Sequence, residues 1–380
     1  MQASNILKLI AGVLSERPDA ALREIRDARL WGRVALCAWR QRVGGLLLAR
    51  LCELDVRVPD AAMRELAGYA RHVREANAVK VDRVLPVIEA LAGAGVRCVL
   101  LKGAALLASI YDDWSMRPMV DVDLLIAPEQ TSIAEEVLLA LGWLPGADLL
   151  RPDFFPRYHY EREYVTQAEP KVRLDLHVRP FRPLRFASTI PPGAFLGASV
   201  DTELAGGVVA VLDPDMNLIH LAAHAALHGA NELRWLYDIY AWATLRSGDL
   251  DVDAIADRCR SYRLEHAVRT ALCRVRETLG PTPRLDEILE RLPRRSAMMD
   301  RLVLWQAPHG EARHVTDVCV NAISLPSWGD RAAYLSAVAL PDSSHLRQIY
   351  PHRHWAWPIA AHATRLGRLL TRPLARRDAS

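Results

Sequence analysis

Lysine is almost missing from this chain. Of its 48 basic residues only Lys8, Lys80, Lys102 and Lys171 are lysine. Arginine dominance fits the codon usage of a GC-rich genome. Where a lysine is retained, a compact ammonium is the expected need rather than a planar fork, which draws attention to Lys102. An excess of one charge is also lacking. The 48 basic residues face 45 acidic ones, for a net charge of +3 over 380 residues. No basic stripe breaks that balance, so a long nucleic acid is not an expected partner. The six cysteines, Cys37, Cys52, Cys98, Cys259, Cys273 and Cys319, form no CxxC pair. No zinc-like spacing appears, and the cysteines read as buried or free thiols in a reducing compartment. The opening MQASNILKLIAGVL lacks the pattern of a secretory leader, and no apolar run is long enough to span a bilayer. A cytoplasmic protein without a transmembrane segment is the expectation. Walker, GxSxG and GxGxxG loops are also missing.

Half of the chain is hydrophobic and about a quarter charged, ordinary for a globular protein. Apolar residues recur at helical spacing in Ile6–Leu14, Ala20–Leu30 and Val79–Leu91, and Pro59-Asp60 marks a helix start. The pattern changes at Gly93-Ala94-Gly95. VRCVLLKG reads as a strand ending at Lys102-Gly103, AALLASIYDD as a helix, and VDVDLLI as a strand. Pro128 opens a second helix that Gly142 closes, and the aromatic stretch 145–164 reads as loop. KVRLDLHVRP is a further strand. Helices return from Pro214, with MNLIHLAAHAALHG and ELRWLYDIYAWATLR separated by Gly229 as a C-cap, then over 253–279, 284–304 and 330–340. The expected fold is α/β (α+β): a small mixed sheet at 95–210, between a helical region at 1–94 and another at 211–380. The arginine-rich end, Arg365 to Arg377, reads as a solvated tail.

Chemistry concentrates at Asp121-Val122-Asp123. Residues two apart on a strand face the same way, so the two carboxylates stand side by side. Such a pair repels itself unless a cation lies between. A hard divalent ion such as Mg2+ takes oxygen ligands and leaves room for substrate phosphates. Three neighbours extend the motif. Gly103, with Lys102, opens a helix whose free N–H groups suit a phosphate. Arg117, in the loop before Asp121, either holds a phosphate or neutralises the acidic pair. Asp175 lies in a strand whose alternation puts Arg173, Asp175, His177 and Arg179 on one face, and Asp175 would complete a three-carboxylate metal site. His177 is a candidate substrate contact or a structural histidine, and Arg173 and Arg234 are further candidate contacts. His220, His224 and His228 share a helix face, but HExxH is absent, so lining or packing is expected there rather than zinc binding. Arg234 and Asp238, four apart, are expected to form an ion pair.

The run LLKGAALLASIYDDWSMRPMVDVDLLI resembles the signature of the uncharacterised nucleotidyltransferase family, a branch of the polymerase-beta-like superfamily. That pattern is a glycine followed by Gly or Ser, a helix, two acids one residue apart, and a third acid on a later strand. Gly103, Asp121, Asp123 and Asp175 stand at those positions, and His224, His228, Arg234, Trp235 and Asp238 fit the family's later helical segment. The resemblance implies transfer of a nucleotidyl group, AMP from ATP or its equivalent from another NTP, with two Mg2+ ions on the three aspartates and phosphates held at Lys102, Gly103 and Arg117. Ala104 departs from the pattern, where many active members carry Ser or Gly. The alternative it raises is a protein that keeps the fold and serves as a nucleotide- or partner-binding module. Near-neutral charge disfavours a nucleic acid acceptor. A small molecule, a peptide or a protein side chain is expected, contacted by the Arg173, His177 and Arg179 face and covered by the Phe154–Tyr164 loop.

Overall fold

A computed structural model describes residues 3–25, 27–146, 154–309, 314–342 and 346. The arginine-rich tail lies outside the described residues. Seven strands form one mixed sheet: β1 (Val99–Leu101), β2 (Val122–Leu125), β3 (Trp143–Pro145), β4 (Glu161–Thr166), β5 (Arg173–His177), β6 (Ser199–Leu204) and β7 (Gly207–Leu212). Their order is β3-β4-β5-β2-β1-β7-β6. β2 pairs with β5 and β1 with β7 in parallel, and the other neighbours are antiparallel. The mixed sheet with flanking helices is the expected class.

Sequence and structure part company in three stretches. The segment 145–164, expected as an aromatic loop, contains a short helix, Phe154–Tyr158, and the first four residues of β4. Phe155 and Tyr164 are buried in the main core and Phe154 in a second one, so these three rings are structural. The β6–β7 hairpin lies beyond KVRLDLHVRP, the last strand placed from the sequence, and β7 runs across the boundary expected at 210. The expected helix after Gly103 is six residues, Lys102–Leu107, too short to carry much of a dipole.

The N-terminal helices do more than cover the sheet. The helix Asp60–Gly93 has 34 residues, and Asn77 on it is 1 % exposed. Its side-chain amide donates to the carbonyls of Trp114 (2.7 Å) and Arg117 (2.9 Å) and accepts from the Met119 amide (3.2 Å). Gly45 meets the same loop from the helix Gly44–Glu53, where the Ser115 carbonyl leaves no space for a Cβ. The loop that leads into β2 is thereby fixed from the N-terminal side. One core joins Leu47 and Val87, the strand residues Leu101, Leu124 and Leu176, and Ile219 and Leu272 of the later helices.

Candidate active site

Register brings the acidic residues together. Asp123 stands opposite Asp175 across the parallel β2–β5 pair. Across β4–β5, Glu163 stands opposite Asp175 and Glu161 opposite His177. Alternation then puts Asp121, Asp123, Glu161, Glu163, Arg173, Asp175 and His177 on one face of the sheet. The other face carries buried Val122, Leu124, Leu174 and Leu176, with Tyr164 donating to Glu135 of the helix Thr131–Ala140 at 2.9 Å. The apolar face anchors the strands and the polar face is free for chemistry.

Within that face, ligand atoms of Asp123, Glu161, Asp175 and His177 all lie within 4.8 Å of one another. His177 Nε2 is 2.8 Å from Asp123 Oδ1 and 3.4 Å from Glu161 Oε2. The Lys102 ammonium donates to the same Asp123 oxygen at 2.6 Å. Asp121, one residue before β2, stands beside this group of four and not in it. Its carboxylate is 3.9 Å from Arg173, which also reaches Glu163 at 3.3 Å. Three carboxylates and an imidazole converging on one point are a suitable donor set for a divalent cation.

The protonation states follow from position. Burial pushes the Asp123 carboxyl up, but Lys102 and His177 outweigh it and hold this group well below the usual carboxylate range. Among the described residues no lysine or arginine forms an ion pair with Asp175. Burial, then Glu161, Asp123 and Asp121, push it up to about 7. Asp121 is raised by burial and by Asp123. Burial opposes the charge on Lys102, yet Asp123 and Glu161 raise it and keep it an ammonium. Tyr160 closes one side, its ring 5.5 Å from that of His177.

The other sequence candidates fall elsewhere. Arg117 is 4 % exposed, and its Nε donates to both oxygens of Asp238 at 2.9 and 2.8 Å. It neutralises Asp238 and not the Asp121–Asp123 pair. Asp238 therefore has Arg117 as its ion-pair partner rather than Arg234, whose Nη2 donates to Glu232 at 3.1 Å. Gly103 is buried, and a Cβ there would come within 2.7 Å of Met119 Cγ, so the glycine admits the 117–119 loop. Ala104 is 2 % exposed and packs in the core. Arg179 donates to the carbonyls of Pro156, Arg157 and His159, which ties down that segment and removes Arg179 from the acceptor face. His220, His224 and His228 line up beside the site, where burial and then the Lys102 charge keep them neutral, His220 at about 3. Their rings pack on Phe181, Phe195 and Trp235.

Sequence reasoning missed Glu161. The signal was present in EREYVT, where Glu161, Glu163 and Val165 alternate with Arg162, Tyr164 and Thr166. The preceding aromatic cluster concealed it.

The geometry agrees with what similarity finds. A family described as uncharacterised nucleotidyltransferase matches residues 27–280, more than half of the chain. No curated protein matches. A solved structure of an antigenic nucleotidyltransferase-like protein from Paracoccidioides brasiliensis is 17% identical, covers 55% of this chain and 92% of its own, and superposes with a TM-score of 0.35. That likeness is too loose to carry an argument, and the family match stands without it. With its paired strands and acidic face, this chain belongs to the uncharacterised nucleotidyltransferase family.

Proposed function

We propose that the protein transfers a nucleotidyl group, AMP from ATP or its equivalent from another NTP, to the hydroxyl or similar nucleophile of a small molecule, peptide or protein. The carrying observation is the in-register pair Asp123 and Asp175, with Glu161 and His177 inside the same 4.8 Å group. The donors fit a divalent ion, because they are hard oxygens plus one imidazole around a carboxylate that already attracts a cation. Asp123, Asp175, Glu161 and His177 would hold it, and Asp121 stands where a second ion would find a further carboxylate. A bound ion would supply neutralisation of the phosphate charge.

The chain's own residues account for the rest. The acceptor oxygen forms a bond to the α-phosphorus, the bond from that phosphorus to the bridging oxygen breaks, and pyrophosphate leaves with the electron pair. The acceptor's proton goes to Asp175, the carboxylate in register with Asp123 across the strands. Lys102 is the cation nearest the carboxylates and the group we assign to the phosphates. Arg173, on the rim between Asp121 and Glu163, is the charge left to meet the acceptor. Arg117 and Arg234 serve the structure instead.

One observation favours a binding module: Lys102 already neutralises Asp123, as a site without chemistry could retain it. Pyrophosphate release from each labelled NTP, with Mg2+ or Mn2+ and candidate acceptors, separates the readings. Transfer is supported by release that Asp123→Asn abolishes while the far-ultraviolet spectrum is unchanged. Equal release by that variant rejects the assignment.

A further inference from the structure

Lys102 stands on the carboxylate that the proposed ion needs. Its Nζ is 2.6 Å from Asp123 Oδ1, and the side chains are 18% and 4% exposed. A carboxylate removed from water to that degree requires a counter-charge. His177 Nε2 approaches the same oxygen, and Asp121, Glu161 and Asp175 add negative charge around it. The only other cation in direct contact with these acids among the described residues, Arg173, sits on the rim with Asp121 and Glu163. The ammonium is thus the resident cation of the cluster.

We propose that Lys102 is an exchangeable counter-ion: its ammonium neutralises Asp123 in the metal-free protein and leaves that carboxylate when a divalent ion enters. The inference rests on the reading above that the cluster takes such an ion. Three features make exchange the natural behaviour. A divalent ion and an ammonium compete for one oxygen, and the ion's double charge, at coordination distance, attracts it more strongly. Lysine carries a compact charge on four flexible methylenes and can retract, whereas a guanidinium would bridge two carboxylates in a fixed fork. Retention of lysine here, in a chain with four lysines among 48 basic residues, agrees with that need. The backbone at Lys102 also has φ 51°, a left-handed conformation that a side chain seldom adopts, at the junction of β1 and the Lys102–Leu107 helix. The fold fixes that backbone beside the carboxylates and leaves the flexible side chain to swing away. Once displaced, the ammonium is next to the phosphates that arrive with the ion, so one residue guards the metal-free site and then binds substrate.

The low lysine count makes the test direct. Protein labelled with 13C at lysine Cε gives four side-chain signals, titrated with MgCl2 alone and then with a non-hydrolysable ATP analogue. The Lys102 signal, assigned by the loss of the other three in K8Q, K80Q and K171Q, is expected to shift with Mg2+ saturation while those of Lys8 and Lys171 stay. In parallel, electron paramagnetic resonance measures Mn2+ binding, with K102M expected to bind at least tenfold more tightly than wild type. A Lys102 signal that stays put while Mn2+ binds, or K102M binding no more tightly than wild type, overturns the exchange alone. If neither protein binds Mn2+, the metal reading falls with it. Should K102M fail to fold, the wild-type titration decides.

Discussion

Removing the Asp238 side chain should be among the most damaging single changes in this molecule. Asp238 is 1 % and Arg117 4 % exposed. The guanidinium Nε bonds both carboxylate oxygens, and the Tyr111 hydroxyl donates to one of them at 3.2 Å. Asp238→Ala leaves a buried guanidinium with no counter-charge, at about 3–5 kcal/mol. The Tyr111 hydroxyl loses its acceptor as well. Against a total stability of roughly 5–15 kcal/mol, that is a large fraction. The pair also ties the Arg117 loop, which Asn77 holds from the other side, to the helix Leu233–Leu245. Urea unfolding followed by tryptophan fluorescence reads the loss as a lower midpoint. R117M/D238L removes both charges and should recover most of the stability. A loss under about 1 kcal/mol in Asp238→Ala, or a double variant no better than the single one, would refute the reasoning.

Gly45→Ala should misfold or melt far below wild type in a thermal scan, because its Cβ would overlap the Ser115 carbonyl and backbone cannot yield as a side chain can. Asp175 supplies a pH prediction for the metal-free protein. Its carboxyl is raised to about 7, above the ordinary value of 3.8, so its contribution to stability is full below that ordinary value and declines as pH rises through 7. Asp175→Asn should therefore melt above wild type at pH 8, by on the order of 3 kcal/mol, and the difference should vanish towards pH 4. A constant difference across that range contradicts the assigned cause. Glu161→Gln should weaken Mn2+ binding about tenfold, since it removes one of three carboxylate ligands; unchanged affinity would exclude Glu161 from the group.

Strand periodicity and the acid spacing were the legible parts of this molecule. VDVDLLI and RLDLH show their chemistry because each alternates a polar face with an apolar one, and both became strands of the sheet. Register was not legible: nothing in either segment says that Asp123 faces Asp175 across a parallel pair, and that pairing decides which acids meet. Glu161 was hidden because its strand follows five residues of a short aromatic helix that look like loop. Arg117 was misplaced for a related reason. Its nearness to Asp121 in sequence suggested an electrostatic partner, while its real partner, Asp238, lies 121 residues away. Of lining or packing, the two roles expected for the three histidines, their rings show packing, on Phe181, Phe195 and Trp235. Their neutrality depends on burial and on Lys102, neither of which local spacing reveals.

Calorimetry with a non-hydrolysable ATP analogue tests the central claim most directly, on wild type and Asp123→Asn, each with and without Mg2+. The account predicts binding by wild type that requires Mg2+ and is lost in the variant, because the carboxylate that faces Asp175 holds the ion that the triphosphate needs. Binding of the same strength without Mg2+, or in Asp123→Asn, would contradict it.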